Sequence, residues 1–424
     1  MRSAAGHASH QVPDRAALDR ASPLFSALFL VVASLVLLRI GVNPLLLDLL
    51  ISYRSESGSI VEKIHPTIYG FVGAGLVAVL SFRITLDAWE VRVVRAMLAF
   101  LAGIVLILAA TALAGRGGSA GYLVDTYATA CSAALLFVFP MPWRRKLGHV
   151  LVGLLTLSAM IAIVEFMLKT RLQPFSETEL SFRPLGLSAH PLDLGLWTAT
   201  AISFCVATRW SVWTRIAVCL VLVVGLGASG ARTAFLVGLA SAVLLAVTAV
   251  GRGLPSQRRL EWRIIAIVLA LAAIPILVGG LYALGALDRF QGGLADANAR
   301  TRVDIYRVFD YMTWPQILFG MEPTLLVKIT KTYLKIEFVE SSIVFFVTLF
   351  GLIGTLLFSG LFFWLLRVLL IGARAPVLMA TGVFFVISLT SNILSSKGPS
   401  IFMLFVLIIA FRPESGAGRR AVRA

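Results

Sequence analysis

The residues of this chain that could take part in chemistry are charged side chains at the ends of long apolar runs. Arg232 is one of them, at the head of the stretch "LGASGARTAFLVGLASAVLLAVTAV" (Leu226–Val250). A charge beside hydrocarbon is costly, so it normally faces a protein interior or a polar cavity. Guanidinium groups bind oxyanions, and carboxylates or imidazoles accept protons. Residues of these types occupy similar positions at Asp125, Glu165, Arg183, His190, Asp193, Arg302, Glu340 and Lys397.

Purely structural roles are open to all of these residues as well. An arginine at a helix end can extend its charge to lipid headgroups. His190, which precedes Pro191, can simply begin a helix. Glu340 can cap the helix that follows it, and Lys397 can be an ordinary loop charge. The members of the group share one predicted depth, however, and this indicates a polar cavity at one end of the apolar runs.

The elements that must position these residues are membrane-length helices. The chain has 424 residues, of which 59% are hydrophobic and 14% charged, whereas soluble domains run nearer half and a quarter. Apolar runs of about 17–25 residues recur, and each can cross about 30 Å of hydrocarbon as a helix. We therefore predict an all-α, polytopic transmembrane bundle of about twelve spans. The predicted spans are residues 24–42, 66–82, 94–114, 120–140, 147–168, 190–207, 211–228, 231–250, 264–286, 341–366, 375–394 and 399–412.

Charge distribution orients the predicted bundle. Most Lys and Arg residues fall in alternate short loops, which places both termini and those loops in the cytoplasm. The same dispersal argues against nucleic acid as a partner, despite a net charge of +16. The three cysteines have unrelated spacings, so they predict neither a disulfide framework nor a metal site, and we expect no cofactor.

One predicted outer segment is much longer than the others. Within it, Ile305, Phe309 and Met312 have helical spacing, and the pattern ends near Pro315. This amphipathic helix could lie on the membrane surface or form a lid over a cavity. The predicted parts of the chain are a disordered cytoplasmic tail at 1–22, spans one to nine at 23–286, a periplasmic loop at 287–339, spans ten to twelve at 340–412, and a basic cytoplasmic tail at 413–424.

An ordered set of short motifs resembles the O-antigen ligase and O-antigen polymerase superfamily of membrane glycosyltransferases. The resemblance covers about residues 180–412. Arg232 stands at the arginine of the family's Ser-x-Ser-Arg-Gly-Ala element, and Arg302 and Tyr306 match its Arg-x-x-x-aromatic element. The similar stretches are "FRPLGLSAHPLDLG" (Phe182–Gly195), "ASGARTAFL" (Ala228–Leu236), "TRVDIYRVFDYMTWPQILFGME" (Thr301–Glu322), "VESSIVFFVTLFGLIG" (Val339–Gly354) and "SNILSSKGPS" (Ser391–Ser400).

Three positions depart from the family pattern. Asp193 stands where the family usually has Asn, and Glu322 replaces the second Gly of a turn. Where ligases carry a His-Asn pair, this chain has Glu340-Ser341. That difference favours the polysaccharide-polymerase branch.

The resemblance implies transfer of a glycan from an undecaprenyl-pyrophosphate carrier to a glycan acceptor, outside the bacterial inner membrane. It implies no metal. On this interpretation Arg183, Arg232, Arg302 and Lys397 bind the pyrophosphate, and Glu340 is the first choice as general base, followed by Asp193 and His190. Partners would be membrane lipids, a chain-length regulator and a flippase. The alternatives are a ligase that transfers finished glycan to a lipid or protein, a transporter or flippase of lipid-linked sugars, and a non-catalytic scaffold.

Overall fold

The fold is helical throughout the part of the chain that the structure describes. A computed structural model describes residues 22–53, 62–116, 120–175, 182–249, 256–283, 285, 303–336, 339 and 341–413, and no β-strand occurs among them. The predicted all-α class is therefore confirmed. The predicted tails at 1–22 and 413–424, apart from Ser22 and Pro413, and the whole stretch 286–302 lie outside the described residues.

Twelve principal helices lie in the described residues, and each overlaps a predicted apolar run. They are α1 Pro23–Gly41, α2 Thr67–Ser81, α3 Ala88–Leu113, α4 at 120–138, α5 Met141–Leu168, α6 Pro191–Cys205, α7 Val212–Ala228, α8 Arg232–Ala249, α9 Ser256–Ala283, α10 Ser342–Leu370, α11 Ala375–Leu389 and α12 Ser400–Ala410. Four of them, α1, α3, α5 and α10, are long and apolar enough to cross a membrane. Shorter apolar helices are α2, α4, α7, α8, α11 and α12. This composition suits a membrane protein.

Three helices begin earlier than the apolar pattern predicts, among them α9, which starts at Ser256. The α3 helix starts at Ala88 because Asp87 and Glu90 form a capping box. The α5 helix starts at Met141, so its first turn includes Arg144, whose Nη1 is 2.5 Å from Oε1 of Glu90. Charged first turns continue a helix beyond its apolar part, and hydrophobicity alone does not detect them.

Two helices depart from regular α geometry. The α4 helix winds as a π-helix over Leu123–Ala128 and as a 3-10 helix over Thr129–Val138. The α10 helix is interrupted at Gly351, whose φ of 70° is left-handed. Gly320, with φ of 90°, lies against the same break, and the N–H of Met321 donates to the carbonyl of Thr348 across 2.7 Å. The turns at Gly320 and Gly351 therefore pack against each other.

The segment 303–336 is a chain of short helices rather than one amphipathic helix. They are Ile305–Tyr311, Trp314–Phe319, Pro323–Lys328 and Ile329–Leu334, and Trp314–Phe319 packs on α10. In the first, Ile305, Val308 and Met312 are buried and Phe309 is only half-buried. The face differs from the predicted one because this helix is 3-10, with about three residues per turn.

The centre of the bundle is formed by α6 and α12. From Leu194 to Cys205 every residue of α6 is buried, and so is every residue of α12. The α6 helix packs against α5, α7, α8 and α11, and α12 packs against α4 and α5. With 11 residues, α12 is roughly 16 Å long, so its short length is accommodated by protein on all sides.

Polar contacts collect at the two ends of this bundle. At one end, the Arg144–Glu90 pair lies near Arg412, whose guanidinium carbon is 3.3 Å from the ring centre of Trp89. The indole N–H of Trp89 also donates to the carbonyl of Val368. Residues in or next to four predicted cytoplasmic segments therefore lie together at this end of the bundle. The loops before α2, α6 and α12 contact one another at the opposite end, where the candidate site lies.

Candidate functional site

The loop that carries Arg183 and His190 is fixed by a buried carboxylate. Glu165, near the end of α5, accepts hydrogen bonds from three backbone N–H groups, those of Leu172 at 2.9 Å, Leu185 at 2.7 Å and Gly186 at 2.8 Å. Gly186 has a left-handed φ of 56°, which glycine adopts without strain. The sequence placed Glu165 among the polar candidates, and these contacts give it a structural role.

Amide side chains hold the same loop from a second direction. Gln173 donates to the carbonyl of Gly186 across 2.8 Å. Asn43, which follows α1, hydrogen-bonds to Gln173 and donates to the carbonyls of Leu187 and Ser188. Segments far apart in sequence therefore converge beneath the "FRPLGLSAHP" motif, and its backbone is rigidly placed.

Arg183 joins this loop to the turn before α8. Its side chain is buried, and Nε donates to the carbonyl oxygen of Ser229 across 3.1 Å. Its own carbonyl accepts from Nε of Arg171 at 2.9 Å. The stretches Phe182–Gly195 and Ala228–Leu236 are thus in direct contact through Arg183.

The turn between α7 and α8 sets the position of Arg232. Ser229 is the C-cap of α7, and its Oγ accepts a hydrogen bond from the N–H of Ala231 at 3.3 Å. Gly230 has a left-handed φ of 62° and reverses the chain. Gly195 of α6 lies so close to the start of α8 that a Cβ there would be 2.7 Å from Cβ of Ala231. Arg232 is therefore the half-buried first residue of a helix held tightly against α6.

Arg232 lines a small polar cleft. Its volume is about 70 Å³. The walls come from the starts of α6 and α8, the end of α11 and the residues that follow α11. The lining residues are Leu192, Gly230, Ala231, Arg232, Thr233, Ala234, Ile387, Thr390, Ser391 and Ile393.

His190 and Asp193 occupy the start of α6, beside this cleft. His190 is the N-cap, and its Nδ1 accepts from the N–H of Leu192 at 3.1 Å. In this arrangement the neutral imidazole carries its proton on Nε2. Asp193 lies half-buried in the first turn and interacts electrostatically with His190.

The start of α10 reaches the opposite wall of the cleft. Oγ of Ser342 donates to the carbonyl of Ser391, a lining residue, across 3.0 Å. Oγ of Ser341 is 3.4 Å from the hydroxyl of Tyr306. Arg302 and Glu340 themselves lie outside the described residues. Their described sequence neighbours nevertheless bring the 303–336 segment, α10 and the cleft wall together.

Lys397 lies elsewhere at the same end of the bundle. Its Nζ donates to the carbonyls of Tyr53 and Lys63, each at 3.1 Å, and is 4.8 Å from the ring centre of Tyr53. Burial lowers the pKa of this amine. Lys397 is not among the residues that line the Arg232 cleft. Arg183 also lies outside that lining, and it contacts the turn that leads into Arg232, whereas Lys397 contacts a different loop.

A buried polar cluster adjoins Lys397, and most of it was not predicted. Arg39 and Asp125 form a salt bridge of 2.8 Å with 1% and 0% of their side chains exposed. Asp125 also accepts from the hydroxyl of Tyr53 at 2.5 Å and from the N–H of His65 at 2.8 Å. Of these four, only Asp125 was among the sequence candidates. An arginine within an apolar run was the available signal for Arg39.

Desolvation shifts the titration of the two ring side chains of this cluster. Burial lowers the pKa of His65 to about 4, and the charge of Arg39 acts in the same direction. Burial raises the pKa of Tyr53, and the neighbouring Asp125 carboxylate adds to the rise. Both side chains are therefore neutral near pH 7. Among the described residues, no group of three or more His, Cys, Asp or Glu side chains could hold a metal ion.

Comparison with family models, with curated proteins and with solved structures finds no match to this chain.

Proposed function

We propose that the protein is a membrane glycosyltransferase that polymerises undecaprenyl-pyrophosphate-linked glycan repeat units during exopolysaccharide or O-antigen assembly. In this proposal the bundle of α1 to α12 lies in the bacterial inner membrane, both termini are cytoplasmic, and the cleft faces the periplasm. The observation that carries the proposal is the meeting of two arginines at one turn. Arg183 binds the carbonyl of Ser229, and Arg232 opens the next helix in the cleft.

The donor's pyrophosphate would bind at this turn. During transfer, the acceptor hydroxyl oxygen forms a bond to the anomeric carbon of the donor. The bond from that carbon to the pyrophosphate oxygen breaks, and the pyrophosphate leaves with the electron pair. Its charge grows in the transition state, so fixed guanidinium groups stabilise that state more than the ground state. Arginine suits the role because its planar fork meets phosphate oxygens bidentately.

The proton of the acceptor hydroxyl needs a base. Glu340 is our first choice, because Ser342 contacts the wall of the Arg232 cleft. Asp193 is the next candidate, at the start of α6. His190 is the third candidate, because its Nδ1 lone pair already accepts a hydrogen bond from the N–H of Leu192. Arg302 would add a third guanidinium, and Tyr306, in the same motif, contacts Ser341.

The polyprenyl tail of the donor would lie along α8. An apolar stripe on the surface of this helix is formed by Leu236, Leu239, Ala240, Val243, Leu244 and Val247. These positions form one stripe at helical spacing, below the arginine that opens the same helix. A lipid with an anionic head and a long apolar tail matches this polarity.

Two alternative functions remain distinguishable. A ligase would transfer finished glycan to a lipid or protein acceptor, and Glu340-Ser341 in place of the His-Asn pair favours the polymerase instead. A transporter of lipid-linked sugars should carry charged groups near mid-membrane. Here Arg39 lies at the end of α1 and Asp125 near the start of α4, which supports chemistry at one face.

Reconstitution in lipid vesicles separates these functions. The purified protein is supplied with lipid-linked repeat units as both donor and acceptor. A polymerase produces a ladder of longer lipid-linked glycans. A ligase forms product only after a different acceptor is added, and a transporter moves the donor across the bilayer without a new glycosidic bond. A chain-length regulator and a flippase are the partners to add afterwards.

A further inference from the structure

The residues that follow α11 form a cleft wall whose position is set from outside the cleft. Ser391 and Ile393 line the cleft. A little further along, the carbonyl of Leu394 accepts from the hydroxyls of Tyr122 at 2.9 Å and Tyr127 at 2.6 Å. These bonds tie the wall to α4.

Lys397 ties the same wall to the loop between α1 and α2. Its amine donates to two carbonyls of that loop, at Tyr53 and Lys63, and its charge lies against the Tyr53 ring. Two hydrogen bonds and a cation–π contact use much of what an ammonium group offers. This engagement fits a fixed clamp better than a ligand of the substrate.

Asp125 holds the other side of that loop. Its buried carboxylate accepts from Arg39 of α1 and from Tyr53 and His65 at the two ends of the loop. In the described part of the chain, Nε and Nη1 of Arg39 are buried without a hydrogen-bond partner. A buried ion pair with such atoms is weak evidence for a stabilising role.

We propose that Asp125 and Lys397 are positioning residues that act as one clamp on the cleft wall, and that Lys397 does not contact the pyrophosphate. The clamp runs from Asp125 through the Tyr53 hydroxyl and the loop backbone to the Lys397 amine. It thereby sets where Ser391 and Ile393 stand opposite Arg232. This inference rests on the proposed function for the nature of the ligand in the cleft.

Substitutions along the clamp test the proposal by steady-state kinetics on the reconstituted protein. The variants are Lys397→Met, Asp125→Asn and the milder Tyr53→Phe, which keeps the ring and removes only the hydroxyl. Lys331→Met, an exposed lysine of the 303–336 segment, is the matched control. We expect each clamp variant to raise KM for the lipid-linked donor about tenfold, as loss of one buried hydrogen bond typically does, with kcat within about threefold of wild type.

A double-mutant cycle decides whether Asp125 and Lys397 act together. If they form one clamp, the Asp125→Asn, Lys397→Met double variant has nearly the KM of the worse single variant. If Lys397 binds pyrophosphate directly, the two effects multiply. In that case inorganic pyrophosphate no longer protects a cysteine in the cleft from thiol labelling when Lys397→Met is present, while it still protects that cysteine when Tyr53→Phe is present. Either of those two results overturns the proposal.

A labelling measurement keeps the clamp testable if the proposed function fails. Asn392→Cys places a half-buried thiol between the lining residues Ser391 and Ile393, in a variant without native cysteines. The clamp predicts that Tyr53→Phe and Lys397→Met raise its labelling rate by a similar factor, and that Lys331→Met leaves it unchanged. If the wild-type protein binds no pyrophosphate, that result contradicts the proposed function but not the clamp. Unchanged labelling rates in both Tyr53→Phe and Lys397→Met would contradict the clamp.

Discussion

Nε of Arg183 donates to the carbonyl oxygen of Ser229 across 3.1 Å, and this bond joins two sequence motifs that lie far apart in the chain. The Ser229–Gly230 turn leads directly into Arg232. Because Glu165 holds the Arg183 loop and Gly195 holds the start of α8, the two arginines are placed by elements that do not depend on a ligand. Such preorganisation is what electrostatic stabilisation of a leaving group requires.

The close approach of α6 and α8 makes Gly195 a sensitive position. In Gly195→Ala the new Cβ would meet Cβ of Ala231 at 2.7 Å and of Ala234 at 3.1 Å. We expect a loss of about 1–3 kcal/mol in stability from overpacking and a fall in transfer rate, because Arg232 moves with the start of α8. Thermal unfolding in detergent and chain assembly in membranes measure the two effects.

Gly360→Ala is the matched control for that substitution. Gly360 lies in α10 with nothing within 4 Å of an added Cβ, and alanine in a helix is typically favoured by about 0.5–1 kcal/mol. The control should be at least as stable and as active as wild type. Equal behaviour of the two variants would show that the α6–α8 contact does not set the site.

The buried Glu165 carboxylate should matter for stability more than its exposed counterparts. Glu165→Gln keeps the shape but replaces one accepting oxygen by an NH₂ group, which faces backbone N–H donors. We expect a loss of about 1.5–3 kcal/mol, the typical contribution of a hydrogen bond to a charged group. Glu322→Gln, at an exposed N-cap without a side-chain hydrogen bond, should leave the melting temperature unchanged. A neutral Glu165→Gln would mean that the loop is held by Gln173 and Asn43 instead.

The apolar helices were predictable from sequence, and their partners were not. Period and length of apolar runs are local properties, so α1 and α2 were placed within a residue or two. The Arg39–Asp125 pair spans 86 positions in sequence, and no local pattern specifies such a contact. The same limit applies to Lys397, which resembled a phosphate ligand in sequence and contacts the Tyr53 loop in the structure. Arg183 contacts the turn before Arg232, and the convergence of the two guanidinium groups on one ligand stays a prediction.

Charge distribution predicts opposite exposure of two described surface positions. Single-cysteine variants at Arg209 and Asp310, both exposed, are made in a background without native cysteines. A membrane-impermeant thiol reagent applied to intact cells with a permeable outer membrane should label Asp310→Cys. Arg209→Cys should react only after the inner membrane is disrupted. The reverse pattern would invert the topology and place the cleft in the cytoplasm.

The role of Glu340 as general base is testable by an isosteric change. Glu340→Gln cannot accept a proton, and loss of a general base typically slows a reaction by about 10²–10⁴-fold. We expect that fall in kcat, with donor KM nearly unchanged. Asp310→Asn, which removes an exposed acid of the 303–336 segment, is the control. Normal polymerisation by Glu340→Gln at wild-type protein levels would leave Glu340 as a helix cap and make Asp193 the next base to test.

In the proposed mechanism, Arg232 binds the leaving pyrophosphate bidentately through its planar guanidinium group. Arg232→Lys keeps the charge and loses the second parallel N–H bond. Since a charge-assisted hydrogen bond contributes about 1.5–3 kcal/mol, transfer should slow by about tenfold to a hundredfold. Arg232→Ala should be slower still, with the protein inserted and folded.

The most direct measurement is the rate of chain assembly from lipid-linked repeat units in membranes, normalised to the amount of folded protein, for wild type, Arg232→Lys and Arg232→Ala. Bidentate binding of the pyrophosphate by Arg232 predicts a graded loss in that order. Full activity of Arg232→Lys would contradict the bidentate grip, because lysine reaches lipid headgroups as well as arginine does. Full activity of Arg232→Ala would remove Arg232 from the site altogether.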